Sequence, residues 1–115
     1  MEILGIGTDI EDMARFRKKD YHNYTEFYKK FFSDREIEYC IQKSDPYTSF
    51  AGKFCAKESV LKAIKKNNIF KISNIEIINN KAGKPEVFIN SKKMNYFLSI
   101  AHSNDSAIAF CVAYK

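Results

Sequence analysis

The sequence predicts one α+β domain in which an antiparallel sheet packs against a long helix and several shorter ones. Three observations carry this. Strand-type runs sit at both ends of the chain, helix-start signals fill its middle, and turn residues separate strand pairs in its second half. With 115 residues there is room for one core, so residues 1–115 are read as a single domain. Four glycines and two prolines argue against long disordered linkers, and no repeat is evident.

Residues 1–10, rich in Ile and Leu, read as a strand. Gly5 and Gly7 interrupt one face, which suggests close backbone approach, and alternation puts Asp9 on the same side at the strand's end. Residues 11–19 read as a helix, acids first and bases last, and 23–32 as another with Tyr24, Phe27, Tyr28 and Phe31 on one stripe. Ser33-Asp34-Arg35-Glu36 is a capping box that opens a helix to about Lys43. Asp45-Pro46 starts the longest helix, about 46–66, ending near Asn67-Asn68. Residues 74–79 and 85–90 are strands joined by the turn Asn80–Lys84. Two more strands, 96–102 and 106–114, flank Ser103-Asn104-Asp105. In the last strand Ile108, Phe110, Val112 and Tyr114 share one face and Ala107, Ala109, Cys111 and Ala113 the other. Both faces are therefore expected to be packed, the small one closely. The terminal strands could be sheet neighbours, but nothing in the sequence requires it.

The net charge of +5 and pI of about 9.1 favour an anionic partner: nucleic acid, a phosphorylated small molecule or an acidic protein. A Lys-rich, Asn-rich genome would also produce this balance. Cys40, Cys55 and Cys111 form no C-x-x-C and lie among apolar residues, so they read as reduced core thiols in a cytoplasmic protein. The first residues are apolar but few, with acids at Glu2, Asp9, Glu11 and Asp12, and read as neither a signal peptide nor a membrane span.

Glu58 is the informative residue. It lies near the centre of an apolar stripe containing Tyr47, Ala51, Phe54, Cys55 and Leu61. A carboxylate facing a core is costly unless a cation or donors meet it. Lys62, one turn on, could pair with it; so could a metal ion; or the helix could turn Glu58 to solvent. Asp9 is a second carboxylate, and two carboxylates with open positions for water and phosphate oxygens are what magnesium uses in phosphoryl chemistry. Lys53, Lys57, Lys62, Lys65 and Lys66 make the long helix basic, with a solvated face the plain reading for most of them. His102-Ser103 is not a catalytic pair, because adjacent strand residues point to opposite sides. Gly5-x-Gly7 is no dinucleotide fingerprint, lacking a third glycine and a βαβ pattern.

Three blocks together resemble the holo-acyl-carrier-protein synthase family of phosphopantetheinyl transferases. They are Gly5-Ile6-Gly7-Thr8-Asp9-Ile10; Phe50 to Ser59 followed by Lys62-Ala63; and Ser99-Ile100-Ala101-His102-Ser103, with Gly83-Lys84-Pro85 between the last two. The resemblance implies the family's fold and the transfer of 4′-phosphopantetheine from coenzyme A to a serine of an apo acyl carrier protein, for fatty acid biosynthesis. Adenosine 3′,5′-bisphosphate is released. It implies that Asp9 and Glu58 bind magnesium and that Lys57 and Lys62 sit near phosphates, Lys62 closest to the reacting one. Lys53, Lys84, His102 and Ser103 would lie along the nucleotide, Lys53 at the 3′-phosphate. Arg15 would dock the acidic carrier, and a homotrimer would place the site between subunits. The serine proton would pass to Glu58 through a water or to a metal-activated hydroxide. Three departures stand out: Ala101 where Ser or Thr is usual, Lys53 where Arg is common, and a shortened segment from Asn67 to Lys71 without the usual glycines. The basic charge raises a nucleic-acid-binding module as the alternative. It is opposed by the absence of an RNP-like or helix-turn-helix pattern and by Glu58, which has no use there. A catalytically silent trimeric relative is opposed by Asp9, Glu58 and Lys62 being in place.

Overall fold

The computed structural model describes residues 1–64 and 71–115. The predicted last turn of the long helix at Lys65 and Lys66, its Asn67-Asn68 end and the shortened segment up to Phe70 lie outside the described residues.

Strand β1 (Ile3–Asp12) leads through the short helices α1 (Ala14–Arg17), α2 (Thr25–Phe31) and α3 (Asp34–Ile41) into α4 (Pro46–Ile64). Strands β2 (Ile75–Asn79), β3 (Pro85–Ile89), β4 (Lys92–Met94), β5 (Phe97–His102) and β6 (Ser106–Tyr114) complete the chain. There are two three-stranded antiparallel sheets, ordered β1-β6-β5 and β2-β3-β4, where the sequence suggested one. The two ends of the chain meet in the first, with Gly7 opposite Cys111 and Asp9 opposite Ala109.

Helix starts follow their local chemistry. Ser33 accepts from the Glu36 amide while Glu36 accepts from the Ser33 amide, the reciprocal capping box expected. Asp45 Oδ1 accepts from the Tyr47 amide at 3.2 Å, before Pro46 begins α4. The helix expected over 11–19 shrinks to α1, because pairing with β6 carries β1 on to Asp12, opposite Ser106. Strand β4 was not expected. Asn90 and Ser91, at φ 50° and 68°, both take the left-handed geometry of a tight hairpin and turn the chain into it.

The core lies between α4 and the first sheet and continues into an aromatic cluster of Phe16, Tyr28, Phe32, Phe50 and Phe54. Ala107, Ala109, Cys111 and Ala113 are buried on the α4 side of β6. Much of the opposite face is left uncovered by the described residues, contrary to expectation. Ile6, Ile10, Ile108 and Phe110 are all exposed there, Ile10 at 67%. Lys53 and Lys57 also depart from a solvated helix face: both are buried, at 4% and 1% exposure.

Candidate active site

The site begins with the contact between β1 and α4. A Cβ on Gly7 would stand 2.0 Å from the Ser59 carbonyl oxygen and 2.7 Å from the Ala63 nitrogen; one on Gly5 would stand 2.0 Å from the Ala63 carbonyl oxygen. Only glycine lets strand and helix backbones come this close. Two residues on along the same strand face lies Asp9, against the stretch of α4 that carries Glu58 and Lys62.

The Lys62 ammonium donates to Asp9 Oδ1 at 3.1 Å and to the Thr8 carbonyl at 3.0 Å. Lys62 thus pairs with Asp9 across the strand and not with Glu58 along the helix. Glu58 is half-buried and forms no ion pair among the described residues. Its carboxyl is raised above the usual range, first by burial and then by the charge of Asp9, with Lys62 and Arg15 pulling the other way. A third carboxyl, Glu11, shares the Gly5-Gly7-Asp9 face. Burial, a hydrogen bond to Asp9 and the charges of Asp9 and Glu58 push it up to about 7, against Arg15. Asp9 Oδ2 is a buried oxygen with no hydrogen-bond partner among the described residues. Alternation along β1 was the signal for Glu11, hidden because residues 11–19 read as helix.

Among the described residues no three His, Cys, Asp or Glu groups cage an ion by themselves. Magnesium in phosphoryl sites is held by one or two carboxylates, the remaining positions going to water and phosphate oxygens. Asp9 and Glu58 would be such a pair, and Asp9 Oδ2, buried with no hydrogen-bond partner among the described residues, is an acceptor suited to a cation. The donor set fits.

A cavity of about 400 Å³ opens beside the N-terminal half of α4, lined by Tyr39, Thr48, Ser49, Lys53, Asn79, Gly83, Pro85 and His102 among others. A second, of about 390 Å³, shares Thr48, Ser49 and His102 and adds Arg17, Lys43 and Ser103. Lys84 is exposed beside the first cavity, between its wall residues Gly83 and Pro85. The Ser103 hydroxyl accepts from the Asp105 and Ser106 amides and so braces its own turn at the wall of the second cavity. Ala101 lies on the exposed sheet face opposite Ile108, the side of the strand away from His102.

Lys53 Nζ donates to the Ile77 carbonyl at 2.6 Å and to Asn79 Oδ1 at 2.8 Å, and sits 4.4 Å from the Tyr39 ring centroid. It forms no ion pair among the described residues, so at the cavity wall its charge is met by neutral groups alone. Burial lowers its pKa. Lys57 is not brought to the cluster. Its ammonium lies 2.6 Å from Glu36 Oε1 and 2.5 Å from the Phe31 carbonyl, while Glu36 Oε2 accepts from the Ile77 amide. That buried pair ties α4 to α2, α3 and β2, in place of the phosphate contact expected of Lys57. Arg15 is 42% exposed, 3.5 Å from Glu11 and 4.6 Å from the Phe54 ring centroid, at the rim of the acidic cluster.

A strand and a helix locked backbone to backbone thus carry Asp9, Glu58 and Lys62 on their facing sides. Over residues 5–111 the chain matches the 4′-phosphopantetheinyl transferase superfamily, and it belongs to that family. It is 37% identical over 110 residues to a holo-[acyl-carrier-protein] synthase of Thermodesulfovibrio yellowstonii, covering 96% of this chain and 97% of that one. To the synthase of Chlorobaculum parvum it is 39% identical over 113 residues, covering 95% and 97%. Its fold superimposes with a TM-score of 0.82, at 28% identity, on the crystal structure of a holo-(acyl-carrier-protein) synthase from Bacillus anthracis in complex with CoA (3′,5′-ADP), covering 97% of this chain and 96% of that one.

Proposed function

We propose that this protein transfers the 4′-phosphopantetheine arm of coenzyme A to a serine of an apo acyl carrier protein and releases adenosine 3′,5′-bisphosphate. The observation that carries the reading is the convergence of Asp9, Glu58 and Lys62 where β1 meets α4. The carrier serine oxygen attacks the phosphorus next to pantetheine, and the bond from that phosphorus to the bridging oxygen breaks. Lys62 donates to the phosphoryl oxygens as charge builds on them. The serine proton passes to Glu58 through a water. Asp9 and Glu58 would hold magnesium, which when bound offsets negative charge on the phosphoryl oxygens.

The nucleotide end has its own support. The cavity of about 400 Å³ has the unpaired Lys53 and His102 in its wall, Lys84 beside it, and Ser103 in the adjoining cavity. None of Asp9, Glu58 or Lys62 lines either cavity. One chain therefore offers the two halves of a site in different places, and a second copy can bring its cavity to the first copy's carboxylates. The exposed face bearing Ile6, Ile10, Ile108 and Phe110 gives the copies an apolar surface on which to join, which supports a homotrimer with the site at the subunit interface. Arg15, with Arg17 and Lys18 exposed beside it, suits an acidic carrier protein. Three buried, unbridged thiols suit the cytoplasm, where fatty acid biosynthesis would use the product.

The test is release of adenosine 3′,5′-bisphosphate from coenzyme A, followed chromatographically with and without apo carrier. Release should require the carrier and magnesium and vanish in Glu58→Gln. Carrier-independent release, or normal turnover by Glu58→Gln, would overturn the reading.

A further inference from the structure

Lys62 and Asp9 form an asymmetric pair. The Asp9 side chain is 11% exposed and that of Lys62 55%, so the carboxylate is fixed while the ammonium can swing away. Both contacts of the ammonium, to Asp9 Oδ1 and the Thr8 carbonyl, lie on β1, across from the helix that carries Lys62. The other Asp9 oxygen, Oδ2, is buried without a hydrogen-bond partner among the described residues. Glu11 and Glu58 both lie close enough for the charge of Asp9 to raise their pKa values, and Arg15 forms its ion pair with Glu11, at 3.5 Å, and not with Asp9. Among the described residues, Lys62 is thus the one cation in direct contact with Asp9.

We propose, resting on the reading of Asp9 and Glu58 as the metal pair, that Lys62 is the counter-ion of Asp9: it holds the carboxylate until a metal competes for it, and is then free to turn to the phosphate of the substrate. An ammonium on Oδ1 and a divalent ion on Oδ2 of one carboxylate repel each other. Metal alone therefore binds against the charge of Lys62 and weakens the Lys62–Asp9 pair. An anionic ligand that accepts the displaced ammonium removes that cost, so metal and coenzyme A favour each other's binding, and by linkage the favour is equal in both directions. Lys62 would act twice, first as a guard against unproductive metal loading and then at the reacting phosphate.

The experiment uses manganese as the probe, with its free concentration followed by electron paramagnetic resonance, on the full chain without coenzyme A. Lys62→Met should bind manganese about fivefold more tightly than the wild type, the factor an exposed ion pair of about 1 kcal/mol contributes. Lys62→Arg should stay near the wild type. The gain in manganese affinity on adding coenzyme A should be smaller in Lys62→Met than in the wild type. A mostly exposed position at the helix surface tolerates Met, and circular dichroism of each variant checks the fold. Equal or weaker manganese binding by a folded Lys62→Met would overturn the counter-ion role while leaving the metal pair standing. No manganese binding by any form, with or without coenzyme A, would overturn the metal pair and this proposal with it.

Discussion

Gly7→Ala is the smallest change that tests how the site is assembled. The added Cβ would stand 2.0 Å from the Ser59 carbonyl oxygen, 2.7 Å from the Ala63 nitrogen and 2.9 Å from Lys62 Cβ. Two of these atoms are helix backbone and cannot rotate away. To restore ordinary contact, β1 and α4 must separate by roughly 1 Å. Overpacking against backbone places the cost at about 3 kcal/mol, the upper end for inserted methyl groups, which lowers the melting temperature by roughly 10–15 °C. The same separation moves Glu58 and Lys62 away from Asp9, and a misplacement of about 1 Å at reacting groups costs on the order of a hundredfold in turnover. Differential scanning calorimetry reads the first effect. Steady-state kinetics at a temperature where the variant remains folded reads the second. A Gly7→Ala protein that melts and turns over like the wild type would refute the claim that backbone contact between β1 and α4 sets the site.

Other consequences follow from the charged groups. Lys57→Met leaves Glu36 buried without its cation and should cost about 3–5 kcal/mol in urea unfolding, while the coenzyme A affinity of the folded fraction stays near normal; an unchanged stability with lost affinity would return Lys57 to the phosphates. Metal-free protein should lose stability as pH rises from about 4.5 to about 7, because folded Glu11 keeps a proton that the unfolded chain has already released. Glu11→Gln should flatten that decline in thermal melts with chelator present, and an unaltered slope would remove Glu11 as its source. Arg15→Glu should raise the KM for carrier protein about tenfold with little change in the KM for coenzyme A; equal effects on both would count against docking at Arg15.

What the sequence revealed depended on how local the cause was. The capping box at Ser33 and the Asp45-Pro46 start are short-range chemistry, and both helices begin where those residues say. The Gly5-Gly7-Asp9 face was legible for the same reason, since alternation along a strand needs no tertiary knowledge. Glu11-Asp12 misled because acids at a helix start and acids at the end of a paired strand look alike, and only β6 decides between them. Lys57 was beyond reach because its partner, Glu36, is 21 positions away and already accounted for by its own capping box. The side chains around α4 from Phe50 to Lys57 are buried on every side, so an apolar stripe said less about Glu58 than its periodicity suggested. The large face of β6 looks like core in sequence because alternation reports which residues share a face, not whether anything in the chain covers that face.

The most direct test of the account is the intact mass of an apo acyl carrier protein after incubation with this protein, coenzyme A and magnesium, beside a chelated control. The account predicts a gain of one phosphopantetheine on the carrier serine, abolished by chelation. An unmodified carrier, with the protein folded and several apo carriers tried, or an equal gain with chelator present, would contradict it.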